Sequence, residues 1–177
     1  MRVLRAVLAG SLLVLPVVLS AQDVKTDFDK TFNFSAVKTY SIKIGTTWGN
    51  EISERRVLTE FDQAIAAKGW KKAPEADANI QVVLHGATQT KHDVNTFYAG
   101  GGYGYYRGFG GMGTTSTTVT EYLVGTLVVD MFDAKTKNLV FRGTASDEIS
   151  DNAEKNQKKV VKASEKMFKN FPPPVKK

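Results

Sequence analysis

The apolar positions of this chain repeat with two periods, and the period marks out the elements. Residues 121–147 read EYLVGTLVVDMFD, then AKTKN, then LVFRGTASD. Leu123, Leu127, Val129 and Met131 share one side of a two-residue repeat, and Tyr122, Val124, Val128 and Phe132 share the other. That predicts a strand inside a sheet, covered on both faces. Asp133, Lys135, Thr136, Lys137 and Asn138 supply turn chemistry, so the next run is expected to return antiparallel as a β-hairpin. In that return, Leu139, Phe141 and Ala145 continue the core side while Arg142, Thr144, Ser146 and Glu148 point away.

Alternation predicts two earlier strands, over 24–28 and 38–44, joined by a turn at Asn33-Phe34-Ser35 whose aromatic ring plugs one end of the core. Val57, Leu58, Phe61, Ala64 and Ile65 recur at helical spacing between a capping Asn50 and a Lys68-Gly69 stop. Trp70 opens a short extended piece, and residues 74–77 form a turn. A strand over 79–89 then turns Ile80, Val82 and Leu84 inward. The last element is a helix over about 151–171, with Asp151 and Glu154 as a capping pair and Pro172-Pro173-Pro174 as its end. Ala153, Gln157, Val160, Ser164, Met167 and Phe171 lie on one of its faces; Lys155, Lys159, Lys162, Lys166 and Lys169 lie on the other, toward water. The order predicts an α+β fold, an antiparallel sheet of five or six strands with two helices packed on one face.

The amino terminus changes what counts as the working protein. Arg2 and Arg5 precede an apolar stretch over 6–19, broken by Pro16 and followed by Ser20 and Ala21. This is the pattern of a secretory signal peptide, residues 1–21, cleaved after Ala21; the stretch is shorter than the roughly 20 residues a membrane span requires. Residues 22–177 remain as a single α+β domain, long enough for a proper core. Without Arg2 and Arg5 the formal net charge falls from +6 to +4. The chain has no cysteine, which excludes disulfides, thiolate metal ligands and a cysteine nucleophile. Gln22 also stands where a lipid-bearing cysteine would follow the cleavage point. The expected address is periplasmic or secreted, without lipid.

Candidate chemistry is sparse. Residues 98–113 read YAGGGYGYYRGFGGMG, half of them glycine. A phosphate cradle needs Lys-Ser/Thr and a helix start after its last glycine, whereas Met112-Gly113-Thr114 leads into a strand. The composition is that of a mobile low-complexity loop. If it makes contacts, Tyr98, Tyr103, Tyr105, Tyr106, Arg107 and Phe109 are the partner-contact candidates, suited to stacking on sugar rings or docking on a protein or membrane surface. His85 and His92, seven residues apart on one strand, fall on opposite faces and predict no shared metal. Asp130, Asp133, Asp147 and Glu148 are the carboxylates an enzyme would draw on, but Asp133 reads as a turn former and the others alternate toward solvent. No serine sits in a nucleophile elbow. No catalytic residue, cofactor or metal is expected. The lysine row offers peripheral contact with lipid headgroups or anionic envelope polymers, and so mild a net charge argues against nucleic acid.

Several short motifs occur in order along the chain. They are Phe34-Ser35 and Lys38-Thr39-Tyr40, Gly69 with Ala76-Asp77-Ala78, and the Gly/Tyr-rich insertion. Gly125-Thr126-Leu127 with Asp130 and Asp133, Phe141-Arg142-Gly143 and a terminal Phe171-Pro172-Pro173 follow. Together they resemble the bacterial envelope, lipoprotein-like family classed as a domain of unknown function, family 4136. The resemblance covers essentially all of residues 22–177. It implies an exported protein, often lipid-anchored, with no established activity or catalytic residues. This chain departs at Gln22, in place of the lipidated cysteine, and at Phe141, where the family commonly has tryptophan. The expectation is a non-enzymatic binding or scaffolding module of the cell envelope, with an envelope protein or a carbohydrate as partner. The alternatives are an enzyme acting on an envelope polymer through carboxylates, and a self-associating structural subunit.

Overall fold

The computed structural model describes residues 22–98 and 115–173. In chain order the elements are β1 (Asp23–Phe28), a 3-10 turn (Phe34–Ala36), β2 (Thr39–Thr46), α1 (Glu51–Ala66), β3 (Lys71–Lys72), β4 (Ile80–Tyr98), β5 (Thr115–Asp133), β6 (Leu139–Glu148) and α2 (Ala153–Met167). They form an α+β fold with one six-stranded sheet in the order β1-β6-β5-β4-β2-β3.

The predicted hairpin is its centre. β5 and β6 pair antiparallel, Leu127 opposite Ala145 and Asp130 opposite Arg142. The turn holds because Asp133 Oδ1 accepts from the Lys135 N–H at 3.0 Å and Oδ2 from the Thr136 hydroxyl at 2.9 Å. Those bonds, the Lys135 N–H foremost, hold the Asp133 carboxyl below its usual range. Lys137 closes the turn in the left-handed region, at φ 62°.

The sheet is mixed, where a purely antiparallel one was expected. β2 runs parallel to β4 and to β3, while the remaining neighbours are antiparallel. The cause is α1: its 16 residues carry the chain from one sheet edge back over the same face, the connection a parallel pair requires. Asn50 caps α1 by accepting from the Ser53 N–H, and Gly69 leaves it at φ 89°. At α2 the cap is Asn152, accepting from the Glu154 and Lys155 N–H groups, one residue beyond the expected Asp151.

Cover is one-sided. Ile80, Val82 and Leu84 of β4, Val129 and Met131 of β5, and Phe141 and Ala145 of β6 are buried beneath Val57, Phe61 and Ile65 of α1 and Ala163 and Met167 of α2. Ser164 Oγ joins the helices by donating to Glu60 Oε1 at 2.7 Å. Strand β5 was expected to be covered on both faces. On its far side Val128 and Phe132 are instead half-exposed, and Leu139, assigned to the core side, is 40% exposed. The lysine row of α2 is also not wholly solvated. Lys159 Nζ donates to the Glu148 carbonyl and pairs with Asp147, and Lys166 Nζ donates to the Gln22 carbonyl.

Strands β4 and β5 are both 19 residues long and pair along their whole length, Ile80 opposite Asp133 through Tyr98 opposite Thr115. Strand β5 begins at Thr115, well before the run at Glu121 that marked it in the sequence. Asn95 stands opposite Thr118 and Thr96 opposite Thr117.

Two measurements test this core. Met131 is fully buried and Leu127 only half-buried. Met131→Ala is therefore expected to lower the urea-derived stability by about 2–5 kcal/mol, and Leu127→Ala by less; equal losses would mean the core is centred elsewhere. Tyr40 is fully buried, with its hydroxyl 2.8 Å from Asp62 Oδ1. Burial first, then the bond to Asp62 and its charge, push its pKa well above 10. A raised pKa contributes stability that is intact below the unfolded value and lost as pH climbs past it, because only the unfolded chain then sheds the proton. Stability should fall above about pH 10, and Tyr40→Phe should flatten that fall; an unchanged alkaline slope would contradict the assignment.

Candidate functional site

On the helix-covered face the side chains shrink along the sheet. After Leu84, Val129 and Phe141 the inward positions are Gly86 on β4, Leu127 and Gly125 on β5, and Ala145 on β6. Small floor residues under two helices leave a gap, and the result is a groove of about 410 Å³. Its walls are Ser53 and Val57 of α1 and Asn156, Lys159, Val160 and Ala163 of α2. The lining is mostly apolar. At its mouth Leu123, 46% exposed, and Ile149, 37% exposed, extend the apolar surface outward.

Trp48 forms one lip. Its indole lies on Gly86 so closely that a Cβ there would sit 2.0 Å from Cε3. The ring is pinned to the first turn of α1: Nε1 donates to Ser53 Oγ at 2.7 Å, and the Trp48 N–H donates to Glu54 Oε1 at 2.9 Å. Only glycine at 86 admits this arrangement. Gly125 similarly seats the Ile149 side chain, 3.1 Å from where its Cβ would be. Gln22 closes the far end, its Nε2 donating to the Lys159 carbonyl at 3.0 Å. Its buried Oε1 has no partner among the described residues.

Of the carboxylates named from the sequence, Asp130, Asp133 and Asp147 are occupied, while Glu148 lies exposed on the groove lining. Asp130 is 3% exposed, not turned to solvent as expected. Its two oxygens accept from Arg142 Nε and Nη2, each at 2.6 Å, and this pairing raises the guanidinium pKa further. His85 stands beside them with Nε2 3.8 Å from Asp130 Oδ2, and its Nδ1 is 2.9 Å from Thr46 Oγ1. The line Thr46–His85–Asp130 has the residue types of a nucleophile relay. However, 3.8 Å is beyond hydrogen-bond reach, and the carboxylate is already bound at both oxygens. It is a clamp on the open face of the sheet. Asp147 at the groove pairs with Lys159 at 3.2 Å, and Asp133 holds its turn. His92 is 3.3 Å from Glu121 on the face opposite His85. Among the described residues no group of three metal-binding side chains is assembled, and no helix is long and apolar enough to cross a membrane.

Of the predicted contact residues, Tyr98 is the last of β4, opposite Thr115. Tyr103, Tyr105, Tyr106, Arg107 and Phe109 lie outside the described residues, as does segment 1–21, expected from its sequence to be a signal peptide. The groove itself was not anticipated. Its sequence signal is the run of glycine and alanine at inward positions of three neighbouring strands, which is readable only once the register is known.

The model of the family described as "Domain of unknown function (DUF4136)" matches residues 24–173. No curated protein matches. Among solved structures, a PDZ domain protein from Parabacteroides distasonis ATCC 8503 superposes with a TM-score of 0.52 at 13% identity. The match covers 85% of this chain but only 35% of that one, and at this identity it speaks to fold alone. The PelC dodecamer from Paraburkholderia phytofirmans gives a TM-score of 0.46 at 10% identity, covering 81% of this chain and 94% of that one.

Proposed function

Because the chain belongs to the DUF4136 family of domains of unknown function, which assigns no reaction, we propose from its geometry that it works in the cell envelope by binding. Its ligand is the apolar chain of an envelope amphiphile, held in the groove between the two helices and the sheet. The observation that carries this is the glycine- and alanine-floored groove of about 410 Å³, within the size range of small-molecule sites. Apolar walls take the chain, and Asn156, Ser53 and Lys159 line the same groove, where they face a polar head group. Binding is favoured over catalysis because Asp147 at the groove is held by Lys159, which leaves the exposed Glu148 as the lone unengaged carboxylate among the described residues of its lining. Export rests on the leader: charge, a short apolar stretch and small residues before Gln22.

Two experiments follow. Titration with N-phenylnaphthylamine, displaced by dodecanoate, is expected to show micromolar binding. Thr88 lies on the groove and is exposed, so Thr88→Phe should fill the groove without disturbing the core. It should weaken binding at least about tenfold, roughly 1.4 kcal/mol, at an unchanged melting temperature. Absence of binding, or equal binding by the variant, overturns the reading. Intact mass of protein purified from its own host should correspond to a chain beginning at Gln22 without acyl groups. A retained leader would count against export by this route.

A further inference from the structure

The β4–β5 hairpin outruns the rest of the sheet. β2 reaches only His85 on one side, and β6 reaches only Val124 on the other. From Thr90 opposite Leu123 to Tyr98 opposite Thr115, a two-stranded ribbon of nine pairs therefore stands with neither neighbour among the described residues, about 30 Å long. A two-stranded ribbon alone in water is marginal, and a bare strand edge offers its N–H and C=O groups to any strand that fits. The ribbon also exposes apolar side chains on one face: Val94 (62%) opposite Val119 (56%), and Leu123 (46%) nearer the groove.

We infer that the free edge of β4 pairs antiparallel with the same edge of a second copy of this chain, about a two-fold axis at His92. Among the described residues, 86–98 of β4 have no partner on that edge, and their midpoint is residue 92. A two-fold there sets Lys91 opposite the second copy's Asp93 and Asp93 opposite its Lys91. Both residues are exposed and lie on the same face of the strand. Two opposite-charge cross-strand pairs form in a register the sequence itself makes self-complementary. The free edge of β5 lacks this property: over 115–122 it carries one charge, Glu121, so self-pairing brings no opposite charges together. The pairing converts two two-stranded ribbons into one four-stranded sheet and gathers Val94, Val119 and Leu123 of both copies on one face. The two bodies are left at opposite ends, about 40 Å apart along the strands, so they do not collide. This inference is independent of the groove and its ligand.

The test uses the natural absence of cysteine. In this register His92 faces its own copy, while Val94 faces Thr90 and lies roughly four residues from its counterpart. His92→Cys should therefore give a disulfide-linked dimer under mild oxidation, and Val94→Cys should not. Both positions are exposed, His92 with 55% and Val94 with 62% of its surface open, so neither change should disturb the fold. The unmodified protein should sediment as a dimer. Lys91→Glu should weaken association about tenfold by setting two carboxylates against each other, and combining Lys91→Asp with Asp93→Lys should restore it. A monomer at all concentrations overturns the inference. So does cross-linking at Val94 as readily as at His92, or a dimer indifferent to Lys91→Glu.

Discussion

One aromatic ring joins nearly every part of the body. Phe171, just beyond α2, has its centroid 5.7 Å from Phe34, 5.2 Å from Trp70, 5.2 Å from Phe141 and 5.3 Å from Phe168. Those rings belong to the β1–β2 connection, the approach to β3, strand β6 and the end of α2. Edge-to-face contacts of this kind each contribute about 0.5–1.5 kcal/mol beyond the area they bury. In a chain without cysteine, packing of this sort does the work that disulfides do in other small domains. Phe141 fits a cluster already crowded by Phe168 at 6.1 Å and Phe171 at 5.2 Å.

The rest follows from how side-chain size falls away from that cluster along one face. Near it the inward residues are Phe141, Met131 and Leu84, and the helices sit down on them. Gly143 marks where α2 comes closest down on β6, since a Cβ there would come within 2.2 Å of Met167 Sδ. Further along, Gly86, Gly125 and Ala145 are too small to fill the space below α1 and α2, and the groove opens. Beyond these the helices have begun, so none of the described residues covers Thr90, His92 or Val94, and only the ribbon continues. Core, groove and ribbon are successive stretches of a single gradient.

Much of this was legible in the sequence, and the failures share a cause. The hairpin turn, the plug at Phe34, the Asn50 cap and the inward set Ile80, Val82 and Leu84 are local patterns, and the chain folds as they direct. Strand direction is not local. Lys38 to Ile44 alternates identically whether β2 runs with β4 or against it, and the clue lay in the length of α1 between them. The far half of the β4–β5 ribbon escaped because threonine is its commonest residue and charged and polar residues interrupt it, leaving Val94 and Val119 too sparse to mark a face. The groove escaped for the same reason the register did. Glycine at 86 and 125 reads as a weak point within each strand, and becomes a floor only when the strands are laid side by side with Thr88 opposite Gly125 and Gly86 opposite Leu127.

The open face explains how a one-sided sheet tolerates its exposure. Asp130 is nearly inaccessible yet ionically paired, and Arg142 covers it with a side chain still 53% exposed. A half-exposed guanidinium keeps most of its hydration while satisfying both carboxylate oxygens, so the desolvation penalty that makes fully buried pairs costly is small here. The clamp fixes β5 against β6 directly behind the aromatic core, and His85 and Thr46 extend the polar network toward β2. The open face carries polar and charged groups, Lys91 and Asp93 among them, whereas the opposite face carries the groove and the apolar residues of the ribbon. Binding falls on the helix-covered side of the sheet, assembly draws on the strand edge and on charges of the open side, and stability on both, so substitutions at Arg142, Thr88 and Lys91 report on three different properties of the molecule.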